Sequence, residues 1–303
     1  MLTTFGALAP IFLLIALGWL LRARGFPGDA FWPGAERLVY WVLFPPLLLL
    51  TTAGSDLTGL RTLPIALALV AAVLVTAALT FALRGHLGIG GASFTSVFQG
   101  AIRNNTYVGL AGAAALYGEA GLAAMGILVF VVVTLVNVLS VVVLLSHRGR
   151  AMRLADLLVS VATNPLILAC VAGFALNATG FGLPGPASAM LDILGSAALT
   201  LGLLCVGAGL ELGRLGRNPA ALIAANALKL VVMPVATWGF CRLLGVEGVT
   251  AATAVLFTAA PVSASSYVLA RQLGGDASLM AGLITISTVL AAITMPLALA
   301  LLT

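Results

Sequence analysis

Charge is what this sequence has least of. Of its 303 residues only 8% are charged, 14 Lys or Arg and 9 Asp or Glu, against 62% hydrophobic, and the mean hydropathy is +1.19. A water-soluble domain needs far more charge to clothe its surface, so a soluble fold is excluded and the composition is that of a polytopic membrane protein. Histidine is nearly absent too: His86 and His147 both fall between apolar segments. No span holds a Ser-His or paired-Asp arrangement, and no cluster has metal-ligand spacing, which argues against a membrane-embedded enzyme and leaves no cofactor to expect. The three cysteines, Cys170, Cys205 and Cys241, are far apart in apolar stretches. They read as small buried side chains, with no disulfide framework. The net charge of +5 is spread thinly over short loops, so no nucleic-acid partner is expected.

What the chain has in abundance is long apolar runs. Residues 2–21, 62–83, 120–146 and 277–303 contain no Asp, Glu, Lys or Arg, and about 20 apolar residues suffice to cross a bilayer. The first run has no basic segment before it and is followed by Arg22 and Arg24, so it reads as a retained helix rather than a signal peptide. Hydropathy and turn residues give ten candidate spans, near 3–21, 36–53, 63–83, 94–116, 121–145, 156–177, 188–209, 219–241, 250–270 and 277–301. Ten basic residues then lie on one side of the membrane, from Arg22, Arg24, Arg37 and Arg84 through Arg148, Arg150, Arg153, Arg214 and Arg217 to Arg271. Arg61 and Arg242 alone lie on the other. The bias places the basic link "SHRGRAMRLAD" (146–156) in the cytoplasm and both termini outside, the orientation of a multi-pass protein of the cytoplasmic membrane.

That link falls at the middle of the chain, and the halves on either side resemble each other. Pro10, Gly18, Gly25 and Phe26 match Pro165, Gly173, Gly180 and Phe181, all at an offset of 155. "YGEAGL" (117–122) resembles "GGDASL" (274–279), and "NTYVGLA" (105–111) resembles "SSYVLAR" (265–271). Residues 1–145 and 156–303 therefore read as two five-helix repeats joined by a cytoplasmic linker, 146–155. Five is odd, so the second copy enters the membrane from the opposite face, the inverted repeat of many secondary transporters.

The polar residues inside spans fall at matched places. "RNNTY" (103–107) interrupts span 4 and "PVSASSY" (261–267) interrupts span 9. Pro261 lacks an amide hydrogen and clashes with the preceding turn, while Asn and Ser side chains can satisfy the backbone groups that an unwound stretch releases. Irregular backbone at such depth persists only where protein or a water-filled cavity surrounds it. Two broken helices at matched depth predict a binding site where they cross, with half-helix amino ends able to face an anion. The candidate substrate-binding residues are Arg103, Asn104, Asn105, Thr106 and Tyr107 with Lys229, Pro261, Ser263, Ser265 and Tyr267. Arg103 and Lys229 each cost about 2.5–3.5 kcal/mol to insert at mid-span, and neither has a carboxylate near it in its own helix. Asp192 and Glu36 are the only acids near membrane depth and the candidates for ion coupling. An anionic substrate would supply the missing negative charge, although carbonyl contacts or an ion pair of Lys229 with Asp192 would also house the lysine.

"RNNTYVGL" in span 4, "APVSASSYVLARQLGGDAS" (260–278) in span 9 and "STVLAAITMPL" (287–297) in span 10 resemble the auxin efflux carrier family, whose bacterial members include malate and malonate permeases. The resemblance runs over nearly the whole chain. It implies an all-α integral membrane protein with ten helices in two inverted repeats, akin to bile-acid symporters and sodium-proton antiporters. Helices 1, 2, 6 and 7 would form a scaffold able to pair as a homodimer. Helices 3–5 and 8–10 would form a transport domain in which helices 4 and 9 cross, carrying a small organic anion through the bilayer. Carried over by position, the breaks fall on Asn104 and Asn105 and on Pro261, Ser263 and Ser265. Plant members often have a proline where this chain has Arg103, and a long central loop where this chain has about ten residues. A short carboxylate therefore fits better than the plant hormone. Broken helices also line pores, which keeps a passive channel or a membrane receptor as the alternative. Proton coupling, sodium coupling and uniport stay open.

Overall fold

Every element follows from the want of polar groups in the bilayer: a backbone without water must pair with itself, and the helix does this within one segment. The computed structural model describes residues 2–54, 62–147, 159, 162–212 and 218–303. Most of the 146–155 linker, and Arg61, Arg214 and Arg217 from the orientation count, lie outside the described residues. Among those described, the regular structure is helical apart from one isolated bridge.

The helix α1 is Leu2–Ala23; α2 (Phe31–Leu38) passes through a π-helical turn, Val39–Leu43, into α3 (Phe44–Ala53). There follow α4 (Thr62–Leu83), α5 (Gly91–Ile102) and α6 (Thr106–His147). In the second half come α7 (Pro165–Thr179), α8 (Gly185–Ala208) and α9 (Pro219–Ala227), which runs through a second π-helical turn, Leu228–Val232, into α10 (Met233–Leu243). The chain ends with α11 (Gly248–Ala259), α12 (Ser265–Leu273) and α13 (Ala277–Leu302). Six stretches, beginning at Thr3, Thr62, Thr106, Gly185, Pro219 and Ala277, are long and apolar enough to cross a membrane; Pro165–Thr179 and Gly248–Ala259 are shorter apolar helices. The 42-residue α6 is two helices joined at Gly118, whose φ of 54° a side chain would strain. Helix starts use the expected chemistry: Asn164 caps α7 and Asn218 caps α9, each followed by a proline at N1, and Asp276 caps α13. Both π-turns run into proline, at Pro45–Pro46 and Pro234, where a missing N–H already breaks the α-helical ladder.

Packing divides the helices into two groups. One joins α1 to α8 and α3 to both α7 and α8; the other packs α4, α5, α6, α9, α10, α11, α12 and α13 among themselves, with α6 also touching α1, α3, α7 and α8, and α13 touching α1. Glycine sets the closest approaches in the first group. A Cβ on Gly18 would stand 2.1 Å from the carbonyl oxygen of Leu204, and one on Gly173 would stand 2.6 Å from that of Leu49. Gly18 and Gly173, and likewise Leu49 and Leu204, are separated by the same 155 residues. The two contacts are the same contact made twice. Small residues at such seams let backbones touch where lipid offers no hydrophobic drive to association.

Candidate functional site

The crossing is built by two interrupted helices. The helix α5 ends at Ile102, and the backbone of Arg103 is extended (φ −89°, ψ 126°) before α6 resumes at Thr106. In the second half α11 ends at Ala259 and α12 resumes at Ser265. The unwound stretches lie against each other as a short antiparallel pair, with Asn104 bridged to Val262. The Asn105 N–H donates to the Pro261 carbonyl at 2.8 Å and the Ser263 N–H to the Arg103 carbonyl at 3.4 Å. Val262 N–H donates to Ser287 Oγ on α13 at 3.0 Å. Most of the backbone groups freed by unwinding are thus paired within the protein, as burial requires.

The side chains divide the work. Asn105 caps α6, its Oδ1 accepting from the N–H groups of Tyr107 (3.1 Å) and Val108 (3.3 Å). Those two amides are consequently taken by the cap. Lys229 sits in the second π-turn and is fully buried. Its ammonium donates to Asn104 Oδ1, to the carbonyl of Thr258 (2.6 Å) and toward Met233 Sδ (3.7 Å). Thr258 belongs to the last turn of α11, where unpaired carbonyls carry the negative end of the helix dipole. Lys229 is therefore satisfied by carbonyl and amide oxygens; Asp192 is exposed on α8, where its backbone carbonyl accepts from Ser196 Oγ.

Arg103 is held differently. Its guanidinium is buried to 7% exposure, with Nη1 donating to Asn137 Oδ1 at 2.7 Å and Nη2 to Ser265 Oγ at 2.9 Å, while Ser265 and Ser263 share a hydroxyl contact at 2.9 Å. Among the described residues its Nε–H has no partner, nor do the side-chain nitrogens of Asn104 and Asn105. Among the described residues the only ion pair is Arg22 with Asp29, far from this point. The arginine is charged, buried and surrounded by neutral oxygens.

Arg103, Asn104, Asn105, Lys229, Pro261, Ser263 and Ser265 thus converge, and Thr106 and Tyr107 open the helix that follows. Tyr107 reaches away toward the other group of helices: its ring lies 4.4 Å from that of Phe44, and a Cβ on Gly202 would come within 3.3 Å of it. Tyr267 does not join the network; its ring faces the Arg271 guanidinium at 5.9 Å. Glu36 is half-buried and within electrostatic reach of Tyr107 and Cys205. Asn137 is absent from the sequence-derived site. It has no counterpart in the repeat, but it is the one amide in the chargeless run 120–146, with Ser140 one turn on, and that isolation was its only signal. Two open surface depressions of about 440 and 450 Å³ lie elsewhere, beside Thr3 and Tyr117 and beside Trp19 and Asp29.

The sequence model of a family described as membrane transport protein matches residues 150–299. An "Uncharacterized transporter" of Methanothermobacter thermautotrophicus is 26% identical over 293 residues, covering 95% of this chain and 94% of that protein. A "Putative malonate transporter" of Rhizobium meliloti is 26% identical over 299 residues, covering 95% and 92%.

Proposed function

We propose, from the premise that this chain belongs to the membrane transport protein family, that it carries a small carboxylate across the cytoplasmic membrane by alternating access. It is a transporter and not an enzyme. The substrate sits at the crossing, and the observation that carries this is Arg103: a buried guanidinium with neutral partners and an uncommitted Nε–H. A guanidinium grips a carboxylate through two parallel hydrogen bonds. The full charge it lacks within the protein is the charge the substrate brings. The similarity to a relative named for malonate makes a short dicarboxylate the first substrate to try.

Ten spans in two inverted five-helix repeats fit this reading, residues 1–145 and 156–303 about a cytoplasmic linker with both termini outside. The reciprocal glycine contacts of Gly18 and Gly173 support the repeat. In this reading α1, α2, α3, α7 and α8 make the scaffold, through which a homodimer would form, and α4–α6 and α9–α13 move against it. Lys229 acts on the substrate through Asn104 rather than by contact. Of the two acids weighed for ion coupling, Glu36 fits better, being half-buried beside Tyr107, whereas Asp192 is exposed.

Uptake of labelled malonate into proteoliposomes tests the reading, with neutral malonamide as competitor. The wild type takes up malonate saturably, is not inhibited by malonamide, and shows accelerated exchange when loaded with unlabelled malonate, which a passive channel would not. Arg103→Lys folds but transports weakly, and Arg103→Gln loses the preference for acid over amide. If Arg103→Gln keeps the wild-type preference, the arginine is structural and the anion reading falls.

A further inference from the structure

We infer that Asn137, on the second half of α6, is a specificity-determining residue: its neutral amide places the Arg103 guanidinium for an anion without cancelling its charge. The inference rests on the carboxylate reading of Arg103 given above. A buried arginine usually meets an acid, because an unpaired charge in an apolar interior is costly. Here the position that would hold the acid holds its isosteric amide. Asn137 Oδ1 accepts from Nη1 at 2.7 Å, the distance of a charge-assisted bond. An aspartate at that position would make the same contact with a full negative charge, and the site would be neutral before any ligand arrived.

The geometry supplies the rest. Nη1 and Nη2 are fixed from two sides, by Asn137 from α6 and by Ser265 from the first residue of α12. A planar guanidinium held at both terminal nitrogens can no longer rotate, so its Nε–H edge, which has no protein partner, keeps one direction. Asn137 is itself only partly buried, and Ser140, one turn further along α6, has a buried hydroxyl without a partner. Both partners of Arg103 are neutral and come from different helices. Orientation is provided by the protein, and charge compensation is left to the ligand.

The test is Asn137→Asp, read as binding of malonate and of malonamide to purified protein, alongside Arg103→Gln and the double variant. Asn137→Asp is expected to lower malonate affinity by about 10- to 100-fold, the scale of one hydrogen bond to a charged group, to leave malonamide binding unchanged, and to keep or raise the melting temperature. In the Arg103→Gln background the same substitution is expected to add little, because the charge it neutralises has gone. An Asn137→Asp protein that still prefers malonate as the wild type does would overturn the inference while leaving the anion reading intact, and equal loss for both probes would overturn it as ordinary disturbance of packing. If Asn137→Asp does not fold, Asn137→Ala in the two backgrounds reads the same coupling: malonate affinity falls in the wild type and not beside Arg103→Gln, and an equal fall in both sinks the inference. A wild type with no preference for acid over amide removes the anion reading itself, and Asn137 with it.

Discussion

Lys229 and Arg103 are equally expensive to bury, yet they sit in different company. Lys229 spends its donors on Asn104, the Thr258 carbonyl and Met233, so removing it strands a carbonyl at the end of α11 and an amide at the break. Lys229→Gln is expected to cost about 1–3 kcal/mol of stability, the penalty of a buried group left unpaired. Asn104→Ala should cost a similar amount from the other side of the same bond. The two losses should not add: thermal unfolding of the double variant is expected to show a deficit smaller than the sum. Strict additivity would mean that the bond between them contributes nothing. At this scale the sequence disclosed which residues were costly, because charge in an apolar run is conspicuous. It could not disclose which cation was sealed and which was open, since that depends on Thr258 and Asn137, 29 and 34 residues away along the chain. Tyr267 shows the same limit, having been grouped with the site by proximity in sequence while its ring turns to Arg271.

At the scale of elements, glycine positions carry the clearest expectation. Gly18→Ala would drive a methyl group onto the backbone of Leu204, and Gly173→Ala onto Leu49 and Thr52. The carbonyls of Leu204 and Leu49 belong to the backbone and cannot step aside by changing a rotamer, so each substitution should cost about 3 kcal/mol or more, at the upper end of overpacking. Gly6→Ala, on the same α1 with open space beside it, serves as the control and should leave the melting temperature within a degree or two of wild type. Equal behaviour of all three would show that the seam is loose. The helix breaks were legible because Asn, Ser and Pro cannot be hidden in a run of Leu, Val and Ala. The π-turns were not: Val39–Leu43 and Leu228–Val232 are made of ordinary helix formers, and only the prolines after them hint at a widened turn. Nor was the continuity of α6 across Gly118, where a loop between two spans shrinks to one residue with positive φ.

For the whole molecule the testable statement is orientation. With the three native cysteines replaced, a cysteine at Gly182 should react with a membrane-impermeant maleimide in intact cells, and one at Gly85 only after the cells are opened. Both glycines are exposed, with nothing within 4 Å of an added Cβ. Labelling of both from one side would remove the inverted arrangement. The count of arginines that supports it was legible precisely because loops are short and charges few, while most of those arginines' surroundings were beyond any reading of sequence. One feature of the crossing bears on the molecule as a whole. The stretches 103–105 and 261–263 are laced together through main-chain amides and carbonyls, and unlacing them within the bilayer would strand those groups at several kcal/mol each. The crossing is therefore costly to pull apart. In the proposed carboxylate carrier the spacing among Arg103, Asn104 and Ser265 is therefore the same whichever face the crossing opens to, so it should discriminate between anions by the same rule from either side of the membrane.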